Sequence, residues 1–274
     1  MSARAERTVA LRPATEEVPE PLLDVRGLTR RYGARIGCAD VSFTLDAGEV
    51  LGVVGESGSG KTTLLSCLSG QLPPSAGCVR YNAPGEGWIA LEALSEARRR
   101  LLMRTDWAFV RQNPRDGLRM GVSAGGNIGE RLMATGWRHY GRIRGAALDW
   151  LERVEIAGDR IDDKPTQFSG GMQQRLQIAR SLVTAPRLVF MDEPTGGLDV
   201  SVQARLLDLI RELVGEFGLS AIVVTHDLAV ARLLAHRLMV MKDGRTVETG
   251  LTDQVLDDPQ HPYTQLLVSS ILQV

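Results

Sequence analysis

Between residues 22 and 54 the apolar positions come in short runs broken by turn residues. LLDVRGL (22–28) and CADVSFTL (38–45) read as strands and DAGE (46–49) as a turn. VLGVVG (50–55) is apolar throughout, the pattern of a central strand covered on both faces. The period then lengthens: from Thr62 to Leu72, the residues Leu64, Leu65 and Leu68 share one face and predict a helix. Residues 92–104 (EALSEARRRLLMR) predict a second helix, and 107–112 (WAFVRQ) a short strand. From Gly126 to Glu155 strand signals almost vanish, and NIGERLMATG and AALDWLERVEI predict two further helices. The alternation returns at residue 187 with strand RLVFMD, helix VQARLLDLIRELVGEFG, strand SAIVVTH, helix DLAVARLLAH and strand RLMVMKDG. Strands separated by helices of 10 to 17 residues predict an α/β fold, a parallel sheet with right-handed crossovers. The strand-poor interval predicts a helical subdomain, and TDQVLDDPQHPYTQLLVSSILQV a small helical tail.

Composition adds bounds. A chain of 274 residues, 43% hydrophobic, can bury the core of one large domain or two modest ones. With 32 basic against 33 acidic residues, nothing points to nucleic acid or to an anionic membrane surface. The densest basic run, Arg98 to Arg100, reads as a solvated helix face. Cys38, Cys67 and Cys78 have no C-x-x-C spacing and read as thiols of a reducing cytosol. Residues 1–21 mix charges and prolines and predict a disordered leader without a signal peptide. No stretch approaches the roughly 18 apolar residues of a membrane span, so any membrane role would come through a partner.

Candidate chemistry lies at the strand ends. GESGSGKTT, from Gly55 to Thr63, matches the phosphate-loop pattern G-x-x-x-x-G-K-[ST] between an apolar strand and a helix. Its glycines let backbone N–H groups wrap a phosphate, Lys61 supplies positive charge, and the Thr62 hydroxyl suits magnesium. RLVFMDEP ends a strand in two acids: Asp192 to orient a magnesium shell, Glu193 to polarise an attacking water as general base. Gln112 and His226 also close strands, where an amide can reach magnesium or water and an imidazole can donate to a γ-phosphate. Tyr32, 23 residues before Gly55, either stacks on an adenine ring or belongs to the core. FSGGMQQRLQIARSL (168–182) is a second anion-binding helix start, with Met172, Leu176, Ala179 and Val183 on its packing face and the Ser-Gly-Gly end outward. His139, His236 and His261 have no partner spacing and are given no chemistry.

The phosphate loop, FSGGMQQ before a helix, strand-DE-P, GGLD and strand-TH, in this order, resemble the ATP-binding cassette (ABC) ATPases from about Leu22 onward. The resemblance implies a P-loop NTPase (RecA-like) parallel-sheet core with an antiparallel β-subdomain and an inserted α-helical subdomain at about 113–185. That domain would span 22–274, with the helical tail from about 252. It implies ATP hydrolysis with Mg2+: Tyr32 on adenine; Gly55, Glu56, Ser57, Gly58, Ser59, Gly60, Lys61, Thr62 and Thr63 on the phosphates. Thr62 and Gln112 would hold magnesium with Asp192 just outside, while Glu193, His226 and Gln112 serve catalysis. Ser169, Gly170, Gly171, Met172, Gln173 and Asp199 would act across a head-to-tail dimer on ATP held by the other subunit. That dimer would be a homodimer of ABC domains or a pair with a second ABC subunit. Met172 stands where the commonest signature has glutamine, a departure that the peptide-importer branch shares. HPYT (261–264) is similar to the tails of dipeptide, oligopeptide and nickel importer ATPases. The stretches 116–136, WRHYGRIR (137–144) and 154–209 look like the ATP-binding protein of bacterial carbon-phosphorus lyase systems for phosphonate breakdown. This implies a cytoplasmic partner of the lyase core complex, with a peptide, nickel or phosphonate importer subunit as the alternative.

Overall fold

Alternation along five short strands sorts their side chains onto two faces of one sheet. In the computed structural model, which describes residues 21–270, these are β3 (Val50–Val54), β6 (Trp107–Val110), β7 (Leu188–Asp192), β8 (Ser220–Val224) and β9 (Arg237–Lys242). They run parallel, and an antiparallel edge strand, β10 (Arg245–Leu251), completes the order β10-β9-β3-β8-β7-β6. Leu51, Val53, Phe190, Ile222 and Met239 enter one core, and Val50, Val54, Val189, Val223 and Val240 enter the other.

The first core is shared with an antiparallel sheet of order β2-β1-β4-β5: β1 (Pro21–Tyr32), β2 (Arg35–Asp46), β4 (Ala76–Ala83) and β5 (Gly87–Ala90). Pro21 opens a strand, whereas the rest of the expected leader lies outside the described residues. The last two strands carry no signal in the sequence reading, because AGCVRYNA offers only Val79 and Tyr81 as strong strand formers. Tyr81, Trp107 and Phe190 join the two sheets edge to face, at centroid distances of 5.1 and 5.5 Å.

Helix α1 (Lys61–Leu68) follows β3 and stops four residues before the predicted Leu72, where Gly70 turns left-handed (φ 69°) and donates to Cys67 O. The helix expected over 92–104 splits: Leu91–Ala93 is a 3-10 turn, and α2 (Glu96–Thr105) starts afresh at Ser95, whose side chain caps Arg98 N. Between β6 and β7 the chain is helical: α3 (Pro114–Gly117), α4 (Ala124–Ala134), α5 (Tyr140–Arg153) and α6 (Gly170–Leu182). Helix α5 starts six residues before the predicted Ala146 because His139 caps it, accepting from Arg142 N. Ile128, Leu132, Leu151 and Leu176 of these helices join Val110 and Val189 in the second core. The remaining helices of the described residues are α7 (Val200–Phe217), α8 (Leu228–Leu234), α9 (Thr252–Asp257) and α10 (Pro262–Ser269). Among the described residues no helix is long and apolar enough to cross a membrane.

Candidate nucleotide site

The loop between β3 and α1 is shaped by glycine. Gly60 has φ 101°, and a methyl group there would lie 2.1 Å from Gly37 O, so no other residue fits. Lys61 opens α1, buried, with Nζ 2.7 Å from both Gly55 O and Glu56 O and 3.4 Å from Ser59 Oγ. Burial pushes its pKa down, against the pull of Glu193, Asp192 and Glu56. The first N–H groups of α1 have no intrahelical partner, and the helix dipole is positive at that end. Glycine backbone, helix terminus and ammonium together have the geometry and charge suited to a phosphate.

Strand ends supply the rest. Thr62 Oγ1 donates to Asp192 Oδ1 at 3.3 Å, joining the loop to the end of β7. Burial raises the Asp192 pKa, the neighbouring Glu193 charge adds to this, and the Thr62 bond, Lys61 and Arg111 oppose it. Glu193 sits in the left-handed region (φ 43°) with its N–H on Val224 O at 2.8 Å. Its carboxylate is gripped from two sides: Gln112 Nε2 donates to Oε2 at 3.1 Å, and His226 Nδ1 lies 3.0 Å from Oε1. The ends of β6, β7 and β8 thus converge on one carboxylate. Tyr32 is 46% exposed, so it is not a core residue. The Arg30 guanidinium lies 5.0 Å from its ring centroid, and a methyl on Gly37 would touch both Tyr32 Cε2 and Thr63 Cγ2 at 2.8 Å.

The FSGGMQQ segment divides inward and outward. Ser169 Oγ caps α6, accepting from Met172 N at 3.3 Å, and Ser169 and Gly170 are exposed. Gly171 is buried: a methyl there would lie 2.5 Å from Val202 Cγ1, so the start of α6 presses on α7, which the exposed Asp199 precedes. The Gln173 side chain turns inward, donating to Pro165 O (2.9 Å) and Phe168 O (3.0 Å), so it holds the preceding loop. Met172 is half-buried, its Sδ 3.6 Å from Arg160 Nη1, and Arg160 also bonds Asp163 and Gln167 O and covers the Phe168 ring.

The single packing face expected for α6 is too narrow: Gln174, Gln177 and Ser181 are buried beside Leu176, Ile178 and Ala179. The glutamines clamp the backbone before Gln112. Arg111 N donates to Gln177 Oε1 at 2.8 Å, and Arg111 O accepts from Gln177 Nε2 (3.0 Å) and Gln174 Nε2 (3.2 Å). Sequence reading missed this clamp, since a glutamine in a helix carries no local mark of burial. The histidines given no chemistry are structural: His139 and His261 cap helices, and His236 Nδ1 accepts from Val50 N at 2.9 Å. Arg111 also lines a groove of about 750 Å³, in which Arg99, Arg100, Arg104, Arg131 and Arg180 outnumber Glu96 and Asp116. Of the run read as a solvated face, Arg98 and Arg100 pair with Glu86 and Glu96 at the surface, and Arg99 and Arg100 edge this groove.

A glycine-shaped phosphate cradle, an acid pair closed in by Gln112 and His226, and an outward-facing Ser-Gly helix start, all at the ends of parallel strands, define an ATP-binding cassette. The chain belongs to the ABC ATPase family, whose members hydrolyse ATP: the profile described as ABC transporter matches residues 38–196, and one described as oligopeptide/dipeptide transporter, C-terminal region, matches 247–274. Over 254 residues the chain is 67% identical to the phosphonates utilization ATP-binding protein PhnK of Escherichia coli (strain K12), covering 93% of this chain and 99% of that one. It is 37% identical over 268 residues to the dipeptide transport ATP-binding protein DppF of Haemophilus influenzae, covering 93% and 80%. A dimeric structure of the bacterial ABC transporter cassette MJ0796 superposes with TM-score 0.76 at 29% identity, over 84% of this chain and 99% of that one. Its post-hydrolysis dimer with ADP and Pi gives TM-score 0.75 at 28% identity, with the same coverage.

Proposed function

We propose that this chain is the ATPase subunit of a cytoplasmic phosphonate-utilising system, working as a dimer closed around two Mg-ATP and coupled to a carbon-phosphorus lyase core complex. The observation that carries this reading is the 67% identity to PhnK across nearly both full lengths, including the helical interval where ABC ATPases differ by partner. The dimeric MJ0796 cassettes support the dimer.

The residues fit the cofactor. Gly60 lets the loop close against the Gly37 carbonyl so that α1 begins at Lys61, and Thr62 and Asp192 present paired oxygens suited to a hard cation. Bound magnesium would offset phosphate charge as the γ-phosphoryl is displaced. Lys61 and the N–H groups from Ser57 to Thr63 grip the phosphates, Tyr32 stacks on adenine, and Thr62 and Gln112 supply the metal's protein ligands. Glu193 takes the proton of the attacking water, held in place by Gln112, while the single N–H of a neutral His226 turns from Glu193 to the γ-phosphate when ATP binds. Ser169, Gly170, Gly171 and Asp199 complete the site of the other subunit; Met172 and Gln173 contribute through backbone, since their side chains are engaged inside. The groove at Arg111, in which arginines outnumber Glu96 and Asp116, suits an acidic partner surface.

An importer ATPase is the second reading, favoured by the tail match at 247–274 and the identity to DppF. Affinity purification of the tagged chain from cells grown on a phosphonate decides. Soluble lyase subunits are expected in the eluate; recovery of a polytopic membrane protein in their place would reject the lyase assignment.

A further inference from the structure

The C-terminal helix reaches the phosphate loop. Tyr263, 5% exposed at the start of α10, accepts a hydrogen bond on its hydroxyl from Glu56 N at 3.0 Å, across 207 positions of sequence. Glu56 N–H and Gly55 C=O belong to one peptide unit, and in a trans peptide the two groups point in opposite directions. Gly55 O accepts from Lys61 Nζ at 2.7 Å. Tyr263 and Lys61 therefore hold opposite edges of the same peptide plane, the first of the loop. Gly55 has φ 146°, and a methyl there would lie 2.2 Å from Met241 O, so only glycine fits, and the partners at its two edges help to set the orientation of that plane.

Tyr263 is itself braced. The Lys242 ammonium lies 4.8 Å from its ring centroid, and its N–H donates to His261 Nδ1 at 3.1 Å. The Glu248 carboxylate on β10 accepts from Gln260 N (2.8 Å) and His261 N (3.0 Å). Arg232 pairs with Asp253 and Asp257 of α9, and Thr252 Oγ1 donates to Ala235 O at 2.7 Å. From the neighbouring β9–β10 turn, Gly244 N donates to Ser59 O at 3.0 Å. The far side of the phosphate loop thus rests on a C-terminal frame of β9, β10 and α10.

We infer that Tyr263 is a positioning residue of the nucleotide site: its hydroxyl fixes the Gly55–Glu56 peptide and, through it, the carbonyl that orients Lys61. The inference rests on the phosphate-loop reading above. It makes the grip on ATP depend on one hydroxyl of the tail, which acts without touching a nucleotide contact. Phenylalanine would fill the same space and leave the Glu56 N–H without its acceptor.

The test is Tyr263→Phe in the full chain, with affinity for a fluorescent ATP analogue, KM for ATP and kcat measured beside thermal melting. Loss of one hydrogen bond at the loop predicts affinity and KM weakened about three- to ten-fold, with kcat within about two-fold. His261→Ala, which removes the cap of the same helix but leaves the hydroxyl, is expected to keep affinity within about two-fold. Unchanged affinity in Tyr263→Phe overturns the inference, as does a loss that His261→Ala reproduces at equal melting temperature. Lys61→Ala in the same assay separates the two levels. If it binds as tightly as the parent, the site reading fails; if it loses binding while Tyr263→Phe does not, only the role of Tyr263 fails.

Discussion

Glu193 is held by an amide on one oxygen and an imidazole on the other, with its own backbone in the left-handed region. Two bonds from different strands fix where that carboxylate points, which is what a base acting on one water requires. Glutamine at this position keeps the size and an acceptor for Gln112 but cannot take a proton. Glu193→Gln is therefore expected to bind Mg-ATP as the parent does, to lose about 10²- to 10⁴-fold in phosphate release, and to accumulate as a dimer in size-exclusion chromatography with ATP. Turnover near the parent rate would remove the general-base assignment. Lys61, Thr62, Asp192, Glu193 and His226 were legible in the sequence because each stands in a short motif at a strand end. The histidine caps were not, because a cap is recognised by the N–H it accepts from, and that N–H belongs to a boundary the sequence leaves uncertain by several residues. Tyr32 stood open between two roles until its exposure decided against the core.

Among the elements, α6 does two jobs at once. Its start faces outward through Ser169 and Gly170, and its body holds the end of β6 through Gln174 and Gln177 on the Arg111 backbone. Gln112 follows Arg111 directly, so any shift of α6 is passed to a residue that bonds Glu193. Gln177→Leu keeps the bulk but strands a buried N–H, at a cost of about 1–3 kcal/mol. It is expected to lower the melting temperature and, because Gln112 loses its support, to reduce phosphate release more than nucleotide affinity. Equal losses in both would mean that the clamp serves stability alone. The apolar runs of β3, β7 and β8 were readable, since strands covered on both faces need no knowledge of their neighbours. Strands β4 and β5 were not, because their pairing with β1 and with each other spans turn-rich sequence. The breadth of burial around α6 was hidden for a related reason: its polar faces are satisfied by backbone groups dozens of residues away.

For the whole molecule, the fold class followed from the order of motifs and the change of hydrophobic period. The tail's contact with the phosphate loop did not, because Glu56 and Tyr263 share no pattern. The outward signature carries the prediction about assembly. Ser169→Arg places a large cation where a second subunit would close, far in role from the chain's own phosphate loop. Turnover is expected to disappear while the monomer's affinity for a fluorescent ATP analogue stays within about two-fold, as titration and phosphate-release assays would read. Loss of binding by the monomer would overturn the cross-subunit role.

The fit at Gly171 has, in a machinist's sense, no clearance. A methyl on Gly171 would lie 2.5 Å from Val202 Cγ1, so the tip of α6 seats directly against α7. Ser169 and Asp199 thus stand at the starts of two helices that meet at this point. Any side chain larger than hydrogen at position 171 would have to push the two apart, and would so change the spacing between Ser169 and Asp199.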